Sequence, residues 1–194
     1  LKDILNTKKT LDEKTLKSIL YPILDGLEKI HSKGFIHRDI KPSNIYIRGN
    51  GSPVLLDFGS ARQSLGDETK TLTSVLTPGY APFEQYYSKG KDQGPWTDIY
   101  GLGATMYRAI TSKIPIDAIS RSERLIEISE DKFISTKKIN PKNFSKYFLE
   151  AIDHSLCFKI KDRPQSIAEW KKEFNIEDEE KTEIHSKNIN LKEK

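Results

Sequence analysis

The sequence holds a single cysteine, Cys157, among 194 residues, so no disulfide can close within the chain and no cysteine-based zinc site can be built. No run reaches the roughly 18 consecutive apolar residues of a membrane span, and the opening "LKDILNTKK" lacks the apolar centre of a signal peptide. Charge of one sign is also lacking: 32 Lys and Arg stand against 28 Asp and Glu, a net of +4 spread along the chain, which excludes the concentrated basic stripe of a nucleic-acid binder. No internal repeat is present. These absences point to a soluble protein of the reducing cytoplasm, with no membrane segment and no nucleic-acid partner. What is there, 36% hydrophobic and 31% charged residues, suffices for the core of one domain or slightly more.

Apolar positions Leu16, Ile19, Leu20, Ile23, Leu24, Leu27 and Ile30 recur at helical spacing after "TLDE", where Thr10 and Glu13 form a capping-box pattern. This predicts one amphipathic helix to about Ser32, kinked at Pro22. "KGF" ends it. The β-branched runs "NIYI" and "VLLDF" flank "RGNGSP" and predict a small hairpin. From Ser60 to Gly94 the chain is polar and aperiodic, a long loop with room for a short helical turn, and loops of that length are usually functional. Thr97 is expected to cap "DIYGLGATMYRAI", a helix poor in charge whose Gly101, Gly103 and Ala104 permit close packing. Further helices are expected near Glu123 to Ser129, from Pro141 to Phe158, and from Ser166, where "SIAE" repeats the capping-box pattern. The fold class is mainly α with a small β-hairpin. Residues 1–176 form the domain, and the polar stretch 177–194 is expected to be disordered.

Within "FIHRDIKPSNIYI", the run "HRDIKPSN" has His37-Arg38-Asp39 followed by four residues and then Asn44. Four such matches arise by chance in about one chain in a thousand of this length. "DFG", Asp57 to Gly59, follows Asp39 by 18 residues and closes a hairpin strand. With "TPGYAPFEQY" and "DRPQS", these motifs resemble those of the large C-terminal lobe of eukaryotic-type protein kinases over about Leu1 to Ile176. Lys41 in "DIKPSN" is the serine/threonine form, and "TPGYAPFEQY" with "GPWTDIYGLGATMYRAIT" is most similar to bacterial members.

The resemblance implies ATP-dependent phosphorylation of protein Ser or Thr hydroxyls, with Mg²⁺ and a protein substrate. Such a reaction is carried mainly by positioning and charge neutralisation, because its transition state spreads charge over oxygens. By that resemblance Asp39 accepts or orients the proton of the substrate hydroxyl, and Lys41 sets an ammonium beside the travelling phosphoryl group. Asn44 and Asp57 offer the hard oxygen ligands that suit Mg²⁺, and Tyr46 lies under the adenine. His37 and Phe58 pack behind the site. Arg38 reads a phosphate on the activation loop, for which Thr69, Thr71, Thr73 and Ser74 are candidate acceptors. Thr77 hydrogen-bonds Asp39 and Lys41, Glu84 forms a buried ion pair with Arg163, and Asp98 holds the catalytic-loop backbone from beneath.

Three positions depart from the family pattern: Leu76 replaces a Gly, Phe83 stands between Ala81-Pro82 and Glu84, and Tyr46 replaces an aliphatic residue. Nothing in the chain matches the Gly-rich loop over the phosphates, the strand Lys, or its helix Glu partner. With Leu1 as the first residue, the expectation is a partial kinase domain whose N-terminal lobe is absent here and supplied in cis, the isolated segment being inactive. The alternatives are a kinase-like scaffold or binding module without turnover, and a small-molecule phosphotransferase on a related fold.

Overall fold

The computed structural model describes residues 1–58, 62–63, 76–87, 92–139 and 141–174. The expected loop acceptors Thr69, Thr71, Thr73 and Ser74, Gly59 of the DFG run, and the 177–194 stretch lie outside the described residues.

Helix α1 (Lys2–Lys8) precedes α2 (Glu13–His31). Helix α2 buries Leu16, Ile19, Leu20, Ile23, Leu24 and Leu27, the face its period predicts. Each such side chain contributes roughly 1.5–3 kcal/mol of gross burial free energy. The N-cap is Asp12, whose Oδ1 accepts from Thr15 N at 2.9 Å. Thr10 does not cap it, because Glu13, its expected reciprocal partner, is drawn instead to Ser145 N, Ser145 Oγ and Lys17. The helix runs unbroken past Pro22, which faces outward.

Strands β1 (Phe35–Ile36), β2 (Ile45–Ile47), β3 (Pro53–Leu55) and β4 (Arg62–Gln63) make two antiparallel ladders. The expected hairpin is β2 with β3, in the register Ile45↔Leu55, Tyr46↔Val54, Ile47↔Pro53. The second ladder, β1 with β4, is an addition to the expected fold.

The remaining helices are α3 (Glu84–Tyr87), α4 (Pro95–Thr111), α5 (Ala118–Ile128), α6 (Thr136–Ile139), α7 (Lys146–Ser155) and α8 (Ile167–Glu173). Helix α4 is the central post: Thr97 through Tyr107 are all buried, and it packs against α2, α6, α7 and β1. It starts at Pro95 with Gly94 as N-cap, not at Thr97. Proline's fixed φ and missing N–H suit the first helical position, and Thr97 Oγ1 folds back to accept from Gly94 N at 3.2 Å. Gly103 is where α4 meets α7, since a Cβ there would overlap Ser155 Oγ.

Helix α5 begins five residues before its expected start because Asp117 caps it, accepting from Ser120 N at 3.0 Å. The expected helix from Pro141 begins at Lys146 after Ser145, whose Oγ accepts from Phe148 N. Ser166 does cap α8, accepting from Glu169 N at 3.1 Å, while the Glu169 carboxylate takes Gln165 N rather than Ser166 N. Trp170 and Phe174 close the core against α2 and α7, with Trp170 Nε1 donating to Ala151 O. Among the described residues no helix is long and apolar enough to cross a membrane.

Candidate active site

The site is assembled on the N-terminal turn of α4. Asp98 is buried there and accepts three hydrogen bonds: from His37 N at 2.8 Å, from Arg38 N at 2.7 Å, and from His31 Nε2 at 2.8 Å. An acidic group in a first helical turn also meets the positive end of the helix dipole. These bonds hold a backbone that would not stay put unaided. Arg38 has φ 72°, a left-handed conformation that disfavours any residue with a Cβ by roughly 1–2 kcal/mol.

His37 is fully buried and links this loop to the end of β3. Its Nε2 donates to Leu56 O at 2.9 Å, since a carbonyl can only accept. Nδ1 is then the acceptor nitrogen, and it receives Asp39 N at 3.3 Å. The His37 ring also meets Phe58 edge-on at 4.8 Å. Phe58 packs behind the site on that side only, its other side leaving it 47% exposed.

Asp39 sits at the centre. Its Oδ2 accepts from Lys41 Nζ at 2.8 Å and from Asn44 Nδ2 at 2.9 Å. Among the described residues nothing hydrogen-bonds Oδ1, and the side chain keeps about a quarter of its surface open. Lys41 Nζ also donates to Thr77 Oγ1 at 3.0 Å, so the lysine bridges Asp39 to Thr77; Thr77 bonds Lys41 and not Asp39 directly. Lys41 and Asn44 converge because Pro42–Asn44 is one 3₁₀ turn, tightening the chain between them.

Asn44 is buried, and its Nδ2 is committed twice, to Asp39 O at 2.8 Å and to Asp39 Oδ2. Its Oδ1 takes only a long 3.4 Å contact from Ser43 Oγ. Leu56 N donates to Asn44 O at 2.8 Å, extending the hairpin ladder by one pair and setting Asp57 beside Asn44. Asp57 is exposed and has φ 62°. A carbonyl oxygen and a carboxylate are a hard donor set, incomplete by itself and suited to a cation whose shell is filled by water and phosphate oxygens. Among the described residues no group of three or more His, Cys, Asp or Glu could hold a metal alone. Tyr46 projects from β2 on the face opposite buried Ile45, paired with Val54, and is 56% exposed.

Glu84 and Arg163 form a buried bidentate pair, Nη1 to Oε1 at 2.7 Å and Nη2 to Oε2 at 3.2 Å. Thr97 Oγ1 adds a bond to Glu84 Oε1. Arg163 also donates to Cys157 O and Phe158 O and stacks over the Tyr100 ring at 4.8 Å. Burial, then the neighbouring Asp162, pushes the Cys157 thiol up, which favours the neutral thiol over the thiolate.

Three residues joined to this framework carry no sequence signal. His31 reads as an ordinary helix-end histidine. Gln85 donates from Nε2 to Arg38 O at 2.8 Å. Arg121 is buried, pairs with Asp131 through Nε at 2.9 Å, and donates to Leu156 O and Tyr100 OH.

Residues 1–174 match the family model described as the protein kinase domain. Serine/threonine-protein kinase PknA of Nostoc sp. is 41% identical over 112 residues, which cover 54% of this chain and 19% of that protein. Serine/threonine-protein kinase D of Synechocystis sp. is 40% identical over 120 residues, 58% of this chain and 23% of its own length. The solved structure of PpkA-294 in its apo form aligns with a TM-score of 0.74 at 38% identity, over 89% of this chain and 58% of that one. The chain thus spans about a fifth of the length of these curated relatives. It belongs to the protein kinase domain family, as a eukaryotic-type member most like the bacterial serine/threonine kinases.

Proposed function

We propose that this chain is the catalytic large lobe of a serine/threonine protein kinase, transferring the terminal phosphoryl group of ATP to a Ser or Thr hydroxyl of a protein. The observation that carries the reading is the convergence of Asp39, Lys41, Asn44 and Thr77 through bonds of 2.8–3.0 Å. A scaffold without turnover has no use for a carboxylate oriented by two donors with its second oxygen left open.

In this mechanism the substrate hydroxyl approaches Asp39 Oδ1. The hydroxyl oxygen forms the new bond to phosphorus as the bond to the ADP oxygen breaks, and Asp39 takes the proton. Lys41, held between Asp39 and Thr77, places positive charge beside the transferred group. Asn44 Oδ1 and the Asp57 carboxylate would hold Mg²⁺, which supplies charge neutralisation at the phosphate oxygens. Tyr46 would support the adenine, and the Arg38 guanidinium would pair with a phosphate on the activation loop.

The reading includes a nucleotide-covering small lobe in cis. Exposed Tyr46 on β2, and Leu56 and Phe58 just past β3, support it, because large apolar side chains left open at a strand edge favour a covering element.

The test is incubation of the full-length protein with MgATP and a Ser/Thr peptide, followed by phosphoamino-acid analysis. Phosphoserine or phosphothreonine is expected; phosphotyrosine as the main product contradicts the assignment. The 194-residue chain alone should transfer phosphate poorly, and robust turnover by it would remove the need for a second lobe.

A further inference from the structure

We propose that Gln85 is a positioning residue for Asp39, coupling the seat of the substrate segment to the catalytic loop. The inference rests on the kinase reading above.

The peptide between Arg38 and Asp39 is a rigid plane that includes the Asp39 Cα, so fixing that plane fixes where the Asp39 side chain starts. Both its polar ends are held. Its N–H donates to His37 Nδ1 at 3.3 Å, a long bond. Its carbonyl, Arg38 O, accepts from Gln85 Nε2 at 2.8 Å, the shorter and better of the two. The preceding amide is held by Asp98. Arg38 needs such support because its φ of 72° lies where residues with a Cβ are strained.

Gln85 is itself fixed from the other direction. It follows Glu84, whose carboxylate is locked to buried Arg163, and its backbone N donates to Pro82 O at 3.1 Å. The line of contact runs from Arg163 through Glu84 and Gln85 to the Arg38 carbonyl and so to Asp39. Thr77, at the start of the same segment, reaches Lys41. The substrate segment therefore touches the phosphoryl-transfer group at two places, one through the lysine side chain and one through the backbone that carries the aspartate. Seating the segment on Arg163 then sets Asp39.

The experiment uses Gln85→Met, of matching length but without a donor, and Gln85→Glu as a second shape-preserving variant in case the first does not fold. In the full-length protein, kcat should fall about tenfold to a hundredfold, the range expected for a small displacement of a reacting group, while KM for the peptide stays within about twofold. In the 194-residue chain, amide hydrogen exchange at Arg38 and Asp39 should quicken several-fold with the α2 and α4 amides unchanged. A raised KM with kcat intact would assign Gln85 to peptide binding and overturn the proposal. Unchanged exchange at Arg38 and Asp39 would overturn it as well. The two readings fail separately: an inactive wild-type protein refutes the kinase assignment, whereas the exchange result judges Gln85 without any activity.

Discussion

Replacing Glu84 with Leu tests the buried clamp between Glu84 at the start of α3 and Arg163. The wild-type pair is out of water on both sides, with 0% of the Arg163 side chain and 4% of the Glu84 side chain exposed. Removing the carboxylate leaves a buried guanidinium without its counter-charge, a change that typically costs about 3–5 kcal/mol. Arg163 would still donate to Cys157 O at 2.6 Å and Phe158 O at 2.7 Å and would still face the Tyr100 ring, so the lower end, about 3 kcal/mol, is expected. For a domain of this size each kcal/mol moves Tm by roughly 2–4 °C, giving a fall of about 6–12 °C. Thermal unfolding followed by circular dichroism, with a urea titration for the free energy, reads the loss. The double variant Glu84→Leu with Arg163→Met removes both charges together, and most of the stability should return, because a buried pair replaced by apolar groups of similar volume is often neutral. A single variant that melts within about 1 °C of wild type, or a double variant as unstable as the single, would refute this account of the clamp.

Gly103→Ala should destabilise by about 1–3 kcal/mol through overlap with Ser155 Oγ, and Ser155→Gly in the same chain should restore much of it, as a urea titration would show. Asp98→Asn replaces an acceptor-only group by one that presents an N–H to the Arg38 or His37 amide; a loss of about 1.5–3 kcal/mol is expected, with faster hydrogen exchange at those two amides. Burial alone would raise the Glu13 carboxyl, but hydrogen bonds from Lys17 and from Ser145 N and Oγ outweigh it and hold the group below the ordinary Glu range. With the folded value lowered, Glu13 contributes stability above the ordinary range and loses it as pH falls through the folded value. Glu13→Gln should therefore lower Tm at pH 7 and converge with wild type once pH has fallen below the folded value, and a Tm difference unchanged by acid would contradict this.

The geometry of the His37–Asn44 loop was legible because its contacts are local. Asp39, Lys41 and Asn44 lie within six consecutive residues, so their closeness in the sequence is also closeness in space. The amphipathic α2 and the buried α4 declared themselves by period and by scarcity of charge. The residues that escaped are those whose partners lie far along the chain. His31 meets Asp98 across 67 positions and Gln85 meets Arg38 across 47, and no local pattern encodes either. The start of α2 was misread for the same reason: Thr10 and Glu13 fit a local capping box, yet Ser145, 132 residues away, claims the Glu13 carboxylate. Two-residue strands such as β1 and β4 are too short to show a period at all. Helix α1, with Leu5 its only fully buried residue, is similarly silent.

The central claim is that Asp39 receives the proton of a Ser or Thr hydroxyl. The most direct measurement is the rate of phosphate transfer from MgATP to a Ser/Thr peptide by full-length wild-type protein beside its Asp39→Asn variant, with folding of both verified by circular dichroism. The account predicts a fall in kcat of about a hundredfold to ten-thousandfold, the usual contribution of a positioned acid or base, with peptide KM little changed. A folded Asn variant that transfers phosphate at the wild-type rate would contradict it.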